Sequence, residues 1–305
     1  MYWGSIRFFK HVILSTVALM IIIPSVLAVY FGVQSFQNRE LAEKYRTRST
    51  STELPKIEYI TDIKESDVIK YASFEYQLEY PNLYAQREEF APEDTEDKPV
   101  VYLTFDDGPS KNTSQILDIL KEHNVKATFF VVCNDTPNAR ALYKRIVDEG
   151  HTIGIHTYSH KYNEIYQSVE DYLSDFEQMF NYIYEVTGTK PTIFRFPGGS
   201  INAYNQNLYQ RLVGEMLRRG FVYYDWNVSS GDAGGACSWV DIQNSVVAGA
   251  NKYQRSIVLM HDSSTKAQTV KALGKIIEQL EDTHSFKALD NTVSPVVFTY
   301  TDNEN

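Results

Sequence analysis

The apolar positions of the chain fall into two unlike patterns. Between Val12 and Val33 they run almost without interruption, and no charged residue appears from Val12 until Arg39. A helix of about 20 apolar residues spans a bilayer, and Arg7, Lys10 and His11 stand just before the run. This predicts a single-pass transmembrane helix over 12–33, with residues 1–11 cytoplasmic and the rest of the chain outside. A cleaved signal peptide ending near Val26 and Ala28 is the second reading. The continuation of the run through Tyr30, Phe31 and Val33 favours the anchor.

From Pro99 onward the pattern changes to short strand-like runs: "VVYLTF", "ATFFVV", "TIGIHT", "TIFRFP", "FVYYDWNV", "SIVLMHD" and a weaker "FKALD". Helical periodicity separates them over 114–123, 138–149, 169–186, 204–219, 239–252 and 267–282. Strands alternating with helices are the mark of βα units and a parallel sheet. Seven strands suit either an open doubly wound sheet or a closed, irregular barrel, and roughly 200 residues bury one such core. Residues 34–97 lack this regular strand–helix alternation, although apolar residues alternate through "IEYITDIKESDVIKYASFEYQLEYPNLYAQ", a stretch able to form structure on the stalk or against the domain. They end in the acid- and proline-rich "REEFAPEDTEDKP" and read as an extracytoplasmic stalk or linker before a domain at 98–305.

Composition adds one exclusion and one limit. With 29 basic and 39 acidic residues, the net charge of −10 lacks the basic footprint of a nucleic-acid binder. Outside the membrane a disulfide persists, and only Cys133 and Cys237 are available to form one. Aromatics make up 13% of the chain, with 22 tyrosines, a composition compatible with sugar contacts as well as packing.

The polar residues at the strand ends carry the chemistry. Asp106 and Asp107 end the first strand run, and His156 ends the third with His160 four residues on. Arg195 and Asp225 sit near the ends of the fourth and fifth, while His261 and Asp262 end the sixth. Parallel α/β folds gather their sites at the carboxyl ends of strands, so all of these share one rim. Two histidines and one carboxylate, with positions left open, make a catalytic metal site. One member of the Asp pair can ligate while its neighbour serves as a base. A cation also offsets the repulsion between the two carboxylates.

"TFDDGP", "HTYSH", "FRFPGG", "YYDWN" and "LMH", in this order, resemble the five signature motifs of the NodB-homology polysaccharide deacetylases, carbohydrate esterase family four. The resemblance covers 98–289 and implies a distorted (β/α) barrel of about seven parallel strands. It makes Asp106 the general base, Asp107, His156 and His160 the metal ligands, and His261 the general acid. Arg195 would orient Asp106, and Asp225, beside Trp226, would tune His261. In many members the third motif ends in tyrosine where this chain has Gly198. The Gly198 backbone N–H can still serve an oxyanion, while the missing ring alters the glycan contacts. Trp226 is expected as a pocket wall, Trp239 as either core or glycan contact, and His123, His151 and His284 as surface or packing residues.

The expectation is a membrane-anchored hydrolase that removes N-acetyl groups from an extracellular polysaccharide, foremost peptidoglycan N-acetylglucosamine. The cofactor is one divalent ion: zinc from the His-His-Asp set, with cobalt or manganese as substitutes. A chitooligosaccharide deacetylase and an O-acetyl esterase of xylan type are same-fold alternatives. A silent glycan-binding protein would require a broken constellation, and none of its members is missing from this chain.

Overall fold

The computed structural model describes residues 74–91, 98–234 and 237–299. The expected anchor over 12–33, the cytoplasmic segment 1–11 and most of the stalk lie outside these residues. Among those described, no helix is long and apolar enough to cross a membrane.

Eight strands form one sheet in which every pairing is parallel. They are β1 (Val100–Asp106), β2 (Thr128–Val131), β3 (Thr152–Ile155), β4 (Ile193–Phe194), β5 (Val222–Tyr223), β6 (Val228–Ser229), β7 (Arg255–His261) and β8 (Ser285–Lys287). The order is β5-β4-β3-β2-β1-β7-β6, with β8 pairing β1. The seven strands on this path make the expected irregular barrel. The run "FVYYDWNV" divides into β5 and β6 because the chain turns away at Asp225 and Trp226. The Tyr224 N–H still bonds the Phe194 carbonyl, whereas the Asp225 N–H bonds the Val296 carbonyl.

β1 is buried along its whole length, as a strand with helices on one side and barrel interior on the other must be. The helices are α1 (Lys111–Glu122), α2 (Pro137–Asp148), α3 (Tyr162–Ile165), α4 (Val169–Thr187), α5 (Tyr209–Arg218), α6 (Trp239–Ala250) and α7 (Ala267–Leu280). Their starts have identifiable causes: Ser110, Thr136, Ser168 and Ser238 each accept a backbone N–H of the first turn. The helix expected from Tyr204 begins only at Tyr209, because Asn202 Oδ1 accepts the N–H groups of Tyr204 and Asn205 and holds that stretch as a turn. An aromatic cluster of Tyr172, Phe176, Phe194, Phe196 and Phe221 packs α4 against β4.

Residues 74–91, the described end of the expected stalk, strap across α5 and bury Tyr76 and Leu83 in the core. Arg219, fully buried, donates to the carbonyls of Tyr76, Glu79, Tyr80 and Leu83 and to Glu215. Gly220, at φ +84°, lets the strap approach so closely that a Cβ there would lie 2.1 Å from the Ala85 oxygen.

Candidate active site

β1 delivers two aspartates into different environments. Asp106, the last residue of the strand, is 2% exposed, and the Arg195 guanidinium donates to its Oδ1 at 2.9 Å. Burial raises the Asp106 pKa even against the adjacent Arg195 charge. Arg195 is itself fully buried and fixed by Thr104 Oγ1 at 2.6 Å, the Tyr224 carbonyl at 2.8 Å and the Asp225 carbonyl at 3.2 Å. Its guanidinium lies over Phe130, 4.4 Å from the ring centre.

Asp107 leaves the strand with φ +74° and turns its carboxylate toward two imidazoles. Asp107 Oδ1 stands 3.2 Å from His160 Nε2 and 3.6 Å from His156 Nε2. Positive φ in residues other than glycine is uncommon and concentrates at functional sites. Asp107, Thr157 and His160 all show it within this cluster. The loop carrying the histidines is pinned from α4, where the Asp175 carboxylate accepts the N–H groups of Tyr158 and Ser159 at 2.5 and 3.0 Å.

Asp107, His156 and His160 offer three ligand atoms within 4.8 Å of one another. His156 Nδ1 lies 2.9 Å from the Arg195 carbonyl, which places its proton there and leaves Nε2 as a lone pair. Burial above all lowers the His156 pKa to about 3, so the ring is the neutral form a metal requires. Asp107 Oδ1 is buried and has no hydrogen-bond partner. An orphaned carboxylate oxygen facing a lone pair is costly unless a cation joins them. The residues present therefore fit a divalent ion.

His261 ends β7 as the register partner of Asp106 on β1. Its Nδ1 lies 2.7 Å from Asp232 Oδ1, and its backbone N–H donates to Asp232 Oδ2 at 2.8 Å. Burial opposes a charged imidazole here, but the Asp232 hydrogen bond and the charges of Asp106 and Asp232 prevail, so the His261 pKa is raised. The expectation that Asp225 tunes His261 is therefore corrected: the carboxylate on His261 is Asp232. Asp225 accepts the Ser200 N–H and hydroxyl at 2.8 and 2.5 Å and the Phe298 N–H at 2.7 Å. Its role is to tie the 197–200 loop to the C-terminal segment.

Asp232 belongs to none of the five motifs. The signal available for it was position, an acid in the loop just past a strand end on the same rim. Asp262, also at this rim, is fully buried with Oδ2 2.5 Å from Thr113 Oγ1. Burial, opposed by that hydrogen bond and reinforced by the charges of Asp107 and Asp106, pushes its pKa up to about 7. It packs so close to Gly108 that a Cβ there would meet Oδ2 at 2.1 Å.

Gly198 is exposed at the rim with φ +77°, and among the described residues no acceptor takes its N–H. Trp226 packs edge-on against Phe298, 4.8 Å between ring centres, and flanks Arg195. Trp239 is half-buried against the core. His151 is a buried packing residue whose Nδ1 accepts the Ala127 N–H, and burial lowers its pKa to about 4. Cys133 and Cys237 are not joined to one another.

With this geometry in hand, comparison with known proteins is direct. A family model described as polysaccharide deacetylase matches residues 93–215. A peptidoglycan-N-acetylglucosamine deacetylase of Bacillus cereus is 31% identical over 224 residues, which are 72% of this chain and 77% of that protein. The crystal structure of the catalytic domain of peptidoglycan N-acetylglucosamine deacetylase from Eubacterium rectale is 37% identical. It superposes with a TM-score of 0.65 over 71% of this chain and 98% of that one. A Streptococcus mutans CE4 esterase is 30% identical with a TM-score of 0.58, over 64% and 87% of the two chains. The fold, the ordered motifs and these likenesses together establish that this chain belongs to the polysaccharide deacetylase family of hydrolases.

Proposed function

We propose that the protein hydrolyses N-acetyl groups of a cell-wall glycan, foremost peptidoglycan N-acetylglucosamine, with a divalent ion held by Asp107, His156 and His160. The observation that carries this reading is the convergence of three ligand atoms, one of them an orphaned buried oxygen, beside a separately held carboxylate and imidazole. When bound, such an ion polarises the acetyl carbonyl and lowers the pKa of water, and zinc suits the donor set best.

The chain's own groups supply the proton transfers. Asp106, held by Arg195 through Oδ1 with its Oδ2 3.8 Å from His156 Nε2, accepts the proton of the attacking water. His261, whose Nδ1 is occupied by Asp232, presents Nε2 and donates a proton to the departing amine. Against burial, the Asp232 hydrogen bond and nearby carboxylates raise its pKa, which favours the protonated form that step uses. The unpartnered Gly198 N–H is available to the oxyanion that forms on the acetyl oxygen. The charge pattern around residues 12–33 supports an uncleaved anchor that presents the domain outside the cell.

Two substitutions at adjacent positions test the assignment. Asp107→Ala removes a ligand, so bound metal and activity fall together. Asp106→Asn keeps its shape but accepts no proton, so it retains its metal while the rate falls roughly 10²–10⁴-fold. Elemental analysis beside acetate release from peptidoglycan, chitooligosaccharide and acetylated xylan reads both variants and the substrate class. An Asp106→Asn protein that loses its metal, or keeps its rate, overturns the division of labour between ligand and base.

A further inference from the structure

Helix α3 and the 198–205 loop meet beside the ligand cluster, and two tyrosines line the junction. The Tyr162 ring stands edge-on to His160, 5.4 Å between centres, and edge-on to Tyr204 at 5.1 Å. Tyr162 occupies the space over Gly198, where a Cβ would come within 2.9 Å of its Cε1 and 3.2 Å of its hydroxyl. The glycine at 198 thus admits an aromatic wall from a different segment of the chain. Tyr204 is 54% exposed, so its ring is open to an incoming group.

The loop that displays Tyr204 is firmly held. Asn202 Oδ1 accepts the Tyr204 N–H at 2.9 Å, and Asn202 Nδ2 donates to the carbonyls of Pro197 and Gly199 at 3.1 and 3.0 Å. Between loop and helix lies an open cavity of about 450 Å³ lined by Lys161, Tyr162, Asn163, Glu164 and Tyr204. That is within the ~300–1,000 Å³ typical of ligand sites. Aromatic faces ringed by amide, ammonium and carboxylate groups match a pyranose, which presents apolar C–H faces and a polar equator.

We propose that Tyr204 and Tyr162 form a stacking subsite for a neighbouring sugar of the substrate polymer, an inference that rests on the deacetylase reading above. Tyr204 reaches His160 only through Tyr162, with 5.1 and 5.4 Å between successive ring centres, so it is assigned the sugar next to the one whose acetamide reacts. The subsite therefore governs binding of chains of several sugars and leaves the chemical step untouched.

The test compares metal-loaded wild type with Tyr204→Ala and Tyr204→Phe on chitopentaose and on a small aryl acetate. Tyr204→Ala should raise KM for the pentasaccharide on the order of tenfold, the effect of losing one covered ring face. Its kcat and its aryl acetate rate should stay unchanged, and Tyr204→Phe should behave as wild type. An unchanged KM, or a loss of kcat shared by both substrates, overturns the subsite.

Calorimetric binding of chitopentaose in the metal-loaded Asp106→Asn background provides a readout independent of turnover. Adding Tyr204→Ala should weaken binding by a similar factor, and equal affinity overturns the proposal. Should wild type release no acetate from any glycan, the deacetylase reading fails by itself and the calorimetric comparison still decides the subsite.

Discussion

Among the described residues two arginines are fully buried, and they serve different parts of the architecture. Arg195 collects Asp106 and the Thr104 hydroxyl from β1 and the carbonyls of Tyr224 and Asp225 from just past β5, groups far apart in the chain that meet at the sheet rim. Arg219 collects Glu215 and four carbonyls from one short stretch, residues 76–83. In both places a guanidinium is taken from water with its donors matched, as a buried charge requires. The difference lies in what is held. Arg195 fixes the carboxylate proposed above as the base, while Arg219 fixes a segment of main chain against the core. Burial and pairing alone therefore do not mark a reactive site; the identity of the acceptors does.

The largest expected effect separates the two directly. Arg195→Lys keeps the charge but cannot reach four divergent acceptors, so Asp106 loses its orientation and acetate release should fall roughly 10²–10³-fold. Near-wild-type turnover in that variant would break the comparison. Next, Arg219→Ala leaves Glu215 and the strap carbonyls without their partner. It should lower the unfolding free energy by roughly 3–5 kcal/mol, measured by urea titration. Turnover per folded molecule should not change, and a parallel loss of turnover would make the strap part of the site.

The smallest effect sharpens the reactive half. Asp232→Asn removes the anion that raises the His261 pKa. The acid form of His261 is present below its pKa and lost as pH rises through it. The basic limb of the pH–rate profile should therefore move to lower pH, and an unmoved limb would remove Asp232 from that role.

Much of the reactive half was legible from the chain. Asp106, Asp107, His156, His160, Arg195 and His261 each follow a strand whose apolar run is plain, and parallel topology sends such residues to one rim. Helix positions were legible for the same reason, since their apolar spacing is strong; α4 is observed within one residue of its expected span. Asp232 was not legible, because its link to His261 depends on the path of a loop rather than on a local pattern. Tyr162 escaped because its place is defined by a missing side chain at Gly198, far off in sequence. The anchorage of the strap escaped for a third reason: Arg219 binds its main-chain carbonyls, which every residue possesses and no sequence pattern reveals.

The sheet order also fixes a timetable for synthesis. β1 ends in Asp106, leads directly into Asp107, and stands between β2 and β7. The Thr104 hydroxyl bonds the Val258 carbonyl, 154 positions later in the chain. A nascent chain therefore makes its central strand first and flanks it last, with one edge unpaired while most of the domain is still to be translated. Such distant pairings are slow to form and expose strand edges while they wait. Pausing or truncation before β7 should therefore produce a species prone to self-association rather than a smaller working enzyme.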